Sequence, residues 1–125
     1  MEKLKNVTLL FVEDDKSLRD VGISTLGKIF KEVIPAEDGV EAYNILQRRM
    51  NEIDIIVSDI NMPKMTGTDF LVKIRGEGCD KPFIFMTAHT EKDKMDIAIA
   101  HKADNYIVKP LNIKVLIEEI EDALE

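Results

Sequence analysis

Tryptophan is absent from this 125-residue chain, cysteine occurs once (Cys79), and histidine only twice. A single cysteine builds neither an internal disulfide nor a Cys-rich zinc site, and it fits a reducing compartment. Cationic side chains are in deficit as well, 17 Lys and Arg against 24 Asp and Glu, for a formal net charge of −7. Non-specific nucleic-acid binding depends on Lys and Arg neutralising phosphates, so direct nucleic-acid binding is not expected. A basic partner surface or a metal ion suits the chain better. No apolar run approaches the roughly 18 residues of a membrane span, and the opening Met1-Glu2-Lys3-Leu4-Lys5-Asn6 lacks a signal-peptide core, so a cytoplasmic protein is expected. Repeats and low-complexity stretches are missing too, and the length matches one domain, expected over 1–125. With 45% hydrophobic residues there is enough apolar side chain for a compact core.

Short apolar runs alternate with segments of helical period. Val7 to Val12 is a nearly continuous apolar run, as expected for a strand covered on both faces, and it ends in Glu13, Asp14 and Asp15. Leu18, Val21, Thr25, Leu26 and Ile29 then recur at helical spacing, which predicts a helix with that face buried. Val33-Ile34 is a brief strand, with Asp38-Gly39 as a turn signal. Tyr43, Leu46 and Met50 mark a second helix, and Ile53 to Ser58 another strand. Phe70, Leu71 and Ile74 mark a third helix that stops near Gly76 and Gly78. Phe83 to Thr87 is the fourth strand. Met95, Ala98 and Ile99 suggest a fourth helix, Tyr106 to Val108 a fifth strand, and Ile113, Leu116, Ile117, Ile120 and Leu124 a last helix.

Five strands separated by helices cannot pair as hairpins. The economical solution is an α/β fold, a five-stranded parallel sheet doubly wound by helices on both faces. Ligands in such open sheets sit beyond the carboxyl ends of the strands. Those ends carry Glu13, Asp14 and Asp15, then Asp59, Thr87 and Lys109. Three carboxylates from Glu13, Asp14 and Asp59 brought within a few ångströms would cost several kcal/mol or force protonation unless a cation compensates. Mg²⁺, a hard ion that takes one or two carboxylates plus waters and phosphate oxygens, is the natural candidate. With Lys109 such a site is neutral and able to receive an anion. Each residue also fits a plainer role. Asp15 before Lys16-Ser17-Leu18 suits a helix cap, Asp59-Ile60-Asn61-Met62-Pro63 a polar turn, Thr87 a cap for the next helix, and Lys109-Pro110 an ordinary loop. Turn chemistry explains each alone far better than it explains all four strand ends together.

These residues resemble the receiver domains of bacterial two-component response regulators, the family that includes the single-domain chemotaxis regulators. The resemblance rests on Leu9-Leu10-Phe11-Val12-Glu13-Asp14-Asp15 with Arg19, Asp38-Gly39-Val40-Glu41-Ala42, Asp59-Ile60-Asn61-Met62-Pro63 with Gly67, Phe85-Met86-Thr87-Ala88, and Ala103-Asp104-Asn105-Tyr106-Ile107-Val108-Lys109-Pro110. It implies a flavodoxin-like (βα)5 fold with strand order 2-1-3-4-5. It implies Asp59 as phospho-acceptor, taking a phosphoryl group from a phosphohistidine on a sensor histidine kinase or phosphotransfer protein. Mg²⁺ would be held by Glu13, Asp14, Asp59 and the backbone carbonyl of Asn61. Alignment on Arg19 makes Glu13 and Asp14 the acidic pair; the competing register pairs Asp14 with Asp15. Lys109 would pair with the phosphoryl oxygens, and Thr87 and Tyr106 would form a switch that remodels the surface of the fourth helix, fifth strand and last helix. The Lys109-Pro110 bond is expected to be cis. Lys102 departs from the family's usual glycine, His89 and His101 are expected at the surface, and Ala88 is small enough to admit a phosphoryl group.

The implied role is a phosphorylation-activated signalling module with a separate downstream protein or output domain, and with phosphorylation-dependent dimerisation possible in principle. It is not a turnover enzyme. Three rival readings stand beside it. A Mg²⁺-dependent phosphatase with an aspartyl-phosphate intermediate typically has a second aspartate where Asn61 stands. A receiver that works without phosphorylation need not keep the complete site. A flavin carrier needs a phosphate-binding Ser/Thr/Gly loop where the first strand ends in carboxylates.

Overall fold

A computed structural model describes residues 2–87, 96 and 103–125. The expected helix around Met95, Ala98 and Ile99, together with Ala88, His89, His101 and Lys102, lies outside the described residues. After a short 3-10 turn at Glu2–Asn6, the order is β1 (Thr8–Val12), α1 (Lys16–Leu26), β2 (Glu32–Ala36), α2 (Gly39–Arg49), β3 (Ile55–Asp59), α3 (Gly67–Gly76), β4 (Phe83–Thr87), β5 (Asn105–Val108) and α4 (Ile113–Leu124). The strands form one parallel sheet ordered β2-β1-β3-β4-β5. The order reverses between β1 and β3, where a crevice opens at the carboxyl edge.

Alternation along each central strand sorts side chains to two cores. Leu10 and Val12 of β1, Ile56 of β3, and Phe83 and Phe85 of β4 face α2 and α3 and pack with Leu46, Phe70 and Leu71. Phe83 stacks at tilted angles against both Phe70 and Phe85, with ring centroids 5.8 and 4.8 Å apart. Leu9, Phe11, Ile55, Val57, Ile84 and Met86 point the other way, toward Leu26 of α1 and Leu116, Ile117 and Ile120 of α4. The three central strands are buried at every position, so polar side chains are confined to their ends. At about 1.5–3 kcal/mol for each large apolar side chain, these two layers dominate the stability of the fold.

Two expectations require correction. Of the expected face of α1, Leu26 is fully buried, but Leu18 and Val21 are 52% and 62% exposed, and Gly22 turns to the sheet beside Leu26. Gly22 lies against the Phe11 ring, where an added Cβ would fall 2.6 Å from the nearest ring carbon. Helix and strand approach closely there because no side chain intervenes. Leu18, Val21 and Thr25 are left on the wall of a groove of about 520 Å³ that also meets Leu111 and Ile113. The third strand begins at Ile55, not Ile53, and reaches Asp59. Ile53 is still fully buried, but the Asp54 carboxylate accepts the Thr8 amide at 2.8 Å and closes the chain ahead of the strand. Val7 likewise falls just outside β1.

Candidate functional site

Strand register brings the polar residues to one edge. Val12 pairs with Ser58, Asp59 with Met86, and Thr87 with Val108, so β1, β3, β4 and β5 end nearly level. Glu13 follows β1, Asp59 ends β3, Thr87 ends β4, and Lys109 follows β5. The amide of Glu13 continues the ladder by donating to the Ala36 carbonyl at 3.0 Å, which turns its side chain into the crevice. Lys109 stands on a cis Lys109-Pro110 bond, its amide bonded to the Thr87 carbonyl at 2.8 Å.

The three carboxylates converge as expected. One oxygen each of Glu13, Asp14 and Asp59 lie within 4.8 Å of one another, with Glu13 and Asp59 buried and Asp14 exposed. Lys109 bridges the two buried ones, its Nζ 2.6 Å from Asp59 Oδ1 and 3.1 Å from Glu13 Oε1. Asp59 Oδ2 is buried and meets no hydrogen-bond partner among the described residues. A buried acceptor without a donor is costly, and all the donor atoms of the cluster are oxygens. Both features fit a hard divalent cation.

Asp15 does something different. Its side chain accepts the Leu18 amide at 2.9 Å as the N-cap of α1, while its own amide donates to Glu13 Oε2 at 3.1 Å. The acidic cluster therefore uses Glu13 and Asp14, in the register that Arg19 sets. Arg19 itself reaches back to the loop, Nη1 donating to the Glu13 carbonyl at 2.9 Å and to the Asp14 carbonyl at 3.3 Å. That contact was not legible in the sequence, where Arg19 was a motif marker without a partner.

Burial and Glu13 together push the Asp59 carboxyl from 3.8 up to about 8, and Lys109 only partly opposes them. Burial alone would raise Glu13, but hydrogen bonds involving Asp59, the Asp15 amide and Lys109 outweigh it and hold Glu13 below its ordinary value. Lys109 is raised, because its two carboxylates outweigh the burial that pulls it down. Burial and Glu13 thus favour the proton on Asp59, while the two carboxylates favour the ammonium form of Lys109.

Behind the site, α3 starts close under the acceptor. Thr66 caps it by accepting the Asp69 amide at 3.1 Å, and the Gly67 amide donates to the Ile60 carbonyl at 2.7 Å. A Cβ on Gly67 would fall 2.0 Å from the Asp59 carbonyl oxygen, so this approach admits only glycine. Ser58 Oγ donates to the same oxygen at 2.8 Å. Asn61 lies exposed in the loop between β3 and α3. Thr87 is buried, and Tyr106, which begins one residue into β5, is 40% exposed and registers with Phe85.

Comparison with known proteins gives the same reading from outside the geometry. The profile of the family described as "Response regulator receiver domain" matches residues 9–121. The chain is 38% identical to a chemotaxis protein CheY homolog of Campylobacter jejuni, over 93% of this chain and 91% of that one. Against chemotaxis protein CheY1 of Helicobacter pylori it is 35% identical, over 93% and 95%. Among solved structures, chemotaxis protein CheY4 of Vibrio cholerae superposes with a TM-score of 0.85 at 32% identity, covering 94% of this chain and 98% of that one. The N-terminal domain of a Wolinella succinogenes protein superposes with a TM-score of 0.87 at 30% identity, over 94% and 93%. With a profile match over nearly its whole length, relatives alike from end to end and the acidic crevice at the sheet's switch point, the chain belongs to the response regulator receiver domain family.

Proposed function

We propose that Asp59 accepts a phosphoryl group from a phosphohistidine of a sensor histidine kinase or phosphotransfer protein in the cytoplasm. The observation that carries this reading is the buried Asp59 carboxylate between Lys109 and the Glu13–Asp14 pair, with Oδ2 lacking a partner among the described residues. Glu13, Asp14, Asp59 and the Asn61 carbonyl would hold Mg²⁺. Bound there, Mg²⁺ supplies positive charge that offsets the carboxylates and the phosphoryl oxygens.

The chain's own residues do the rest by position and charge. Asp59 must give up its proton to act as nucleophile, and Lys109 at 2.6 Å favours the ionised form. One Asp59 oxygen forms the new O–P bond as the P–N bond to the donor imidazole breaks, and the imidazole departs with the bonding pair. Lys109 then shifts from the carboxylate to the phosphoryl oxygens. Thr87, at the neighbouring strand end, hydrogen-bonds to one of those oxygens, and Tyr106 moves in response. The remodelled face of β5 and α4 is read by a downstream protein or output domain. One site and one phosphoryl group make this a signalling module, with self-dephosphorylation rather than turnover of a substrate. The names of the Campylobacter jejuni and Helicobacter pylori relatives support a chemotaxis pathway as its setting.

Intact mass after incubation with Mg²⁺ and acetyl phosphate tests the reading. A single phosphoryl adduct is expected, lost in Asp59→Asn and lost when the metal is chelated. No adduct from acetyl phosphate or from a panel of phosphorylated kinases would refute it.

A further inference from the structure

Arg19 sits in the first turn of α1 with its guanidinium turned back on the loop that carries the acidic pair. The two ligand positions in that loop are not held alike. Glu13 is buried, its amide tied to Ala36 and its carboxylate to Lys109. Asp14 is exposed, so the place of its carboxylate depends on how firmly its backbone is held. Arg19 Nη1 spans the carbonyls of both residues, at 2.9 and 3.3 Å, while the Arg19 amide binds the Asp15 carbonyl at 2.8 Å. Three successive peptide units are thereby fastened to one residue of the helix.

We infer that Arg19 is a positioning residue for divalent-cation binding, holding the Asp14 carboxylate within reach of Glu13 and Asp59 by pinning the loop's carbonyls to α1. The inference rests on the metal reading given above. Charge and geometry demand opposite outcomes when Arg19 is removed. A guanidinium beside a cation site repels the incoming ion, so loss of its charge alone tightens binding. Loss of its charge-assisted hydrogen bonds leaves the loop to be ordered when the ion binds, which weakens binding. Groups that orient metal ligands from behind typically matter by ten- to a hundredfold in affinity, more than the charge of one partly solvated side chain.

The test is calorimetric titration of the whole chain with Mg²⁺, for wild type, Arg19→Ala and Arg19→Lys, with amide exchange at residues 13–15 followed in metal-free protein. Arg19→Ala is expected to raise the Mg²⁺ dissociation constant about tenfold and to speed exchange at those amides, with partial recovery in Arg19→Lys. If Arg19→Ala does not fold, Arg19→Gln, which keeps an N–H donor without the charge, serves the same comparison. An unchanged or lower dissociation constant beside a wild type that binds Mg²⁺ overturns the inference and leaves the metal reading standing. A wild type that binds no Mg²⁺ overturns both.

Discussion

Replacing Asp59 by asparagine should stabilise the metal-free chain, and by an amount that grows with pH. Burial and Glu13 raise the Asp59 carboxyl to about 8 in the native state, against 3.8 in an ordinary setting. A group raised in this way contributes fully below its unfolded value and loses its contribution as pH climbs through the folded one. Between pH 5 and 7 the native chain keeps the proton while the unfolded chain has lost it. Stability then falls across that window by about 3 kcal/mol. Glu13, held below its ordinary value, loses its contribution only in more acid solution, and Lys109, raised, only in more alkaline. The assay is urea unfolding in excess chelator at pH 5, 6 and 7. With a denaturant slope of about 1.5 kcal/mol per molar, the midpoint of the wild type should drop by about 2 M relative to Asp59→Asn. Saturating Mg²⁺ should reverse the trend, because metal ligation requires the ionised carboxylate. Parallel curves for the two chains, within about 0.5 kcal/mol, would refute the account of Asp59 as a buried, proton-holding carboxyl.

Other outcomes follow from single contacts. Lys109→Met leaves Glu13 and Asp59 facing each other without their bridging ammonium. Removing one partner of a buried pair costs about 3–5 kcal/mol, and the partial exposure of Lys109 reduces this to about 2 kcal/mol at pH 7, read by urea unfolding. Gly67→Ala drives a Cβ to 2.0 Å from the Asp59 carbonyl, so a loss of at least about 2 kcal/mol is expected, and an unshifted melting temperature would contradict the close approach of α3. Asp15→Ala removes the N-cap of α1 at a cost of about 1 kcal/mol, while Mg²⁺ affinity changes less than about threefold; a collapse in affinity would return Asp15 to the metal site.

Strand positions and strand-end chemistry were legible because both follow from local rules. A continuous apolar run must be covered on two faces, and a charge at its end must sit at the rim. Glu13, Asp59, Thr87 and Lys109 were located on that ground alone. The buried face of α1 was legible at Leu26 but not at its first turns, since periodicity identifies an apolar stripe without saying whether a glycine makes the closer contact. Gly22 against Phe11 rotates the helix away from the stripe that Leu18 and Val21 suggest. The start of β3 was blurred for a related reason, Ile53 being buried as deeply as the strand that follows it. Asp15 was expected to cap the helix after β1, and its carboxylate on the Leu18 amide bears that out, although an acid beside a helix start can also serve a metal. The unsatisfied oxygen of Asp59 belongs to a class of feature that no linear pattern carries, as it depends on what three distant segments leave uncovered.

The ammonium that bridges the two buried carboxylates comes from a residue 96 positions away from Glu13. During synthesis the acidic half of the crevice therefore emerges long before its counter-charge, which arrives with the last strand. A chain shortened before β5, or one whose final strand has not docked, presents repelling acids in place of a receptive crevice. The charge balance of the crevice is thus complete only once β5 has docked beside β4.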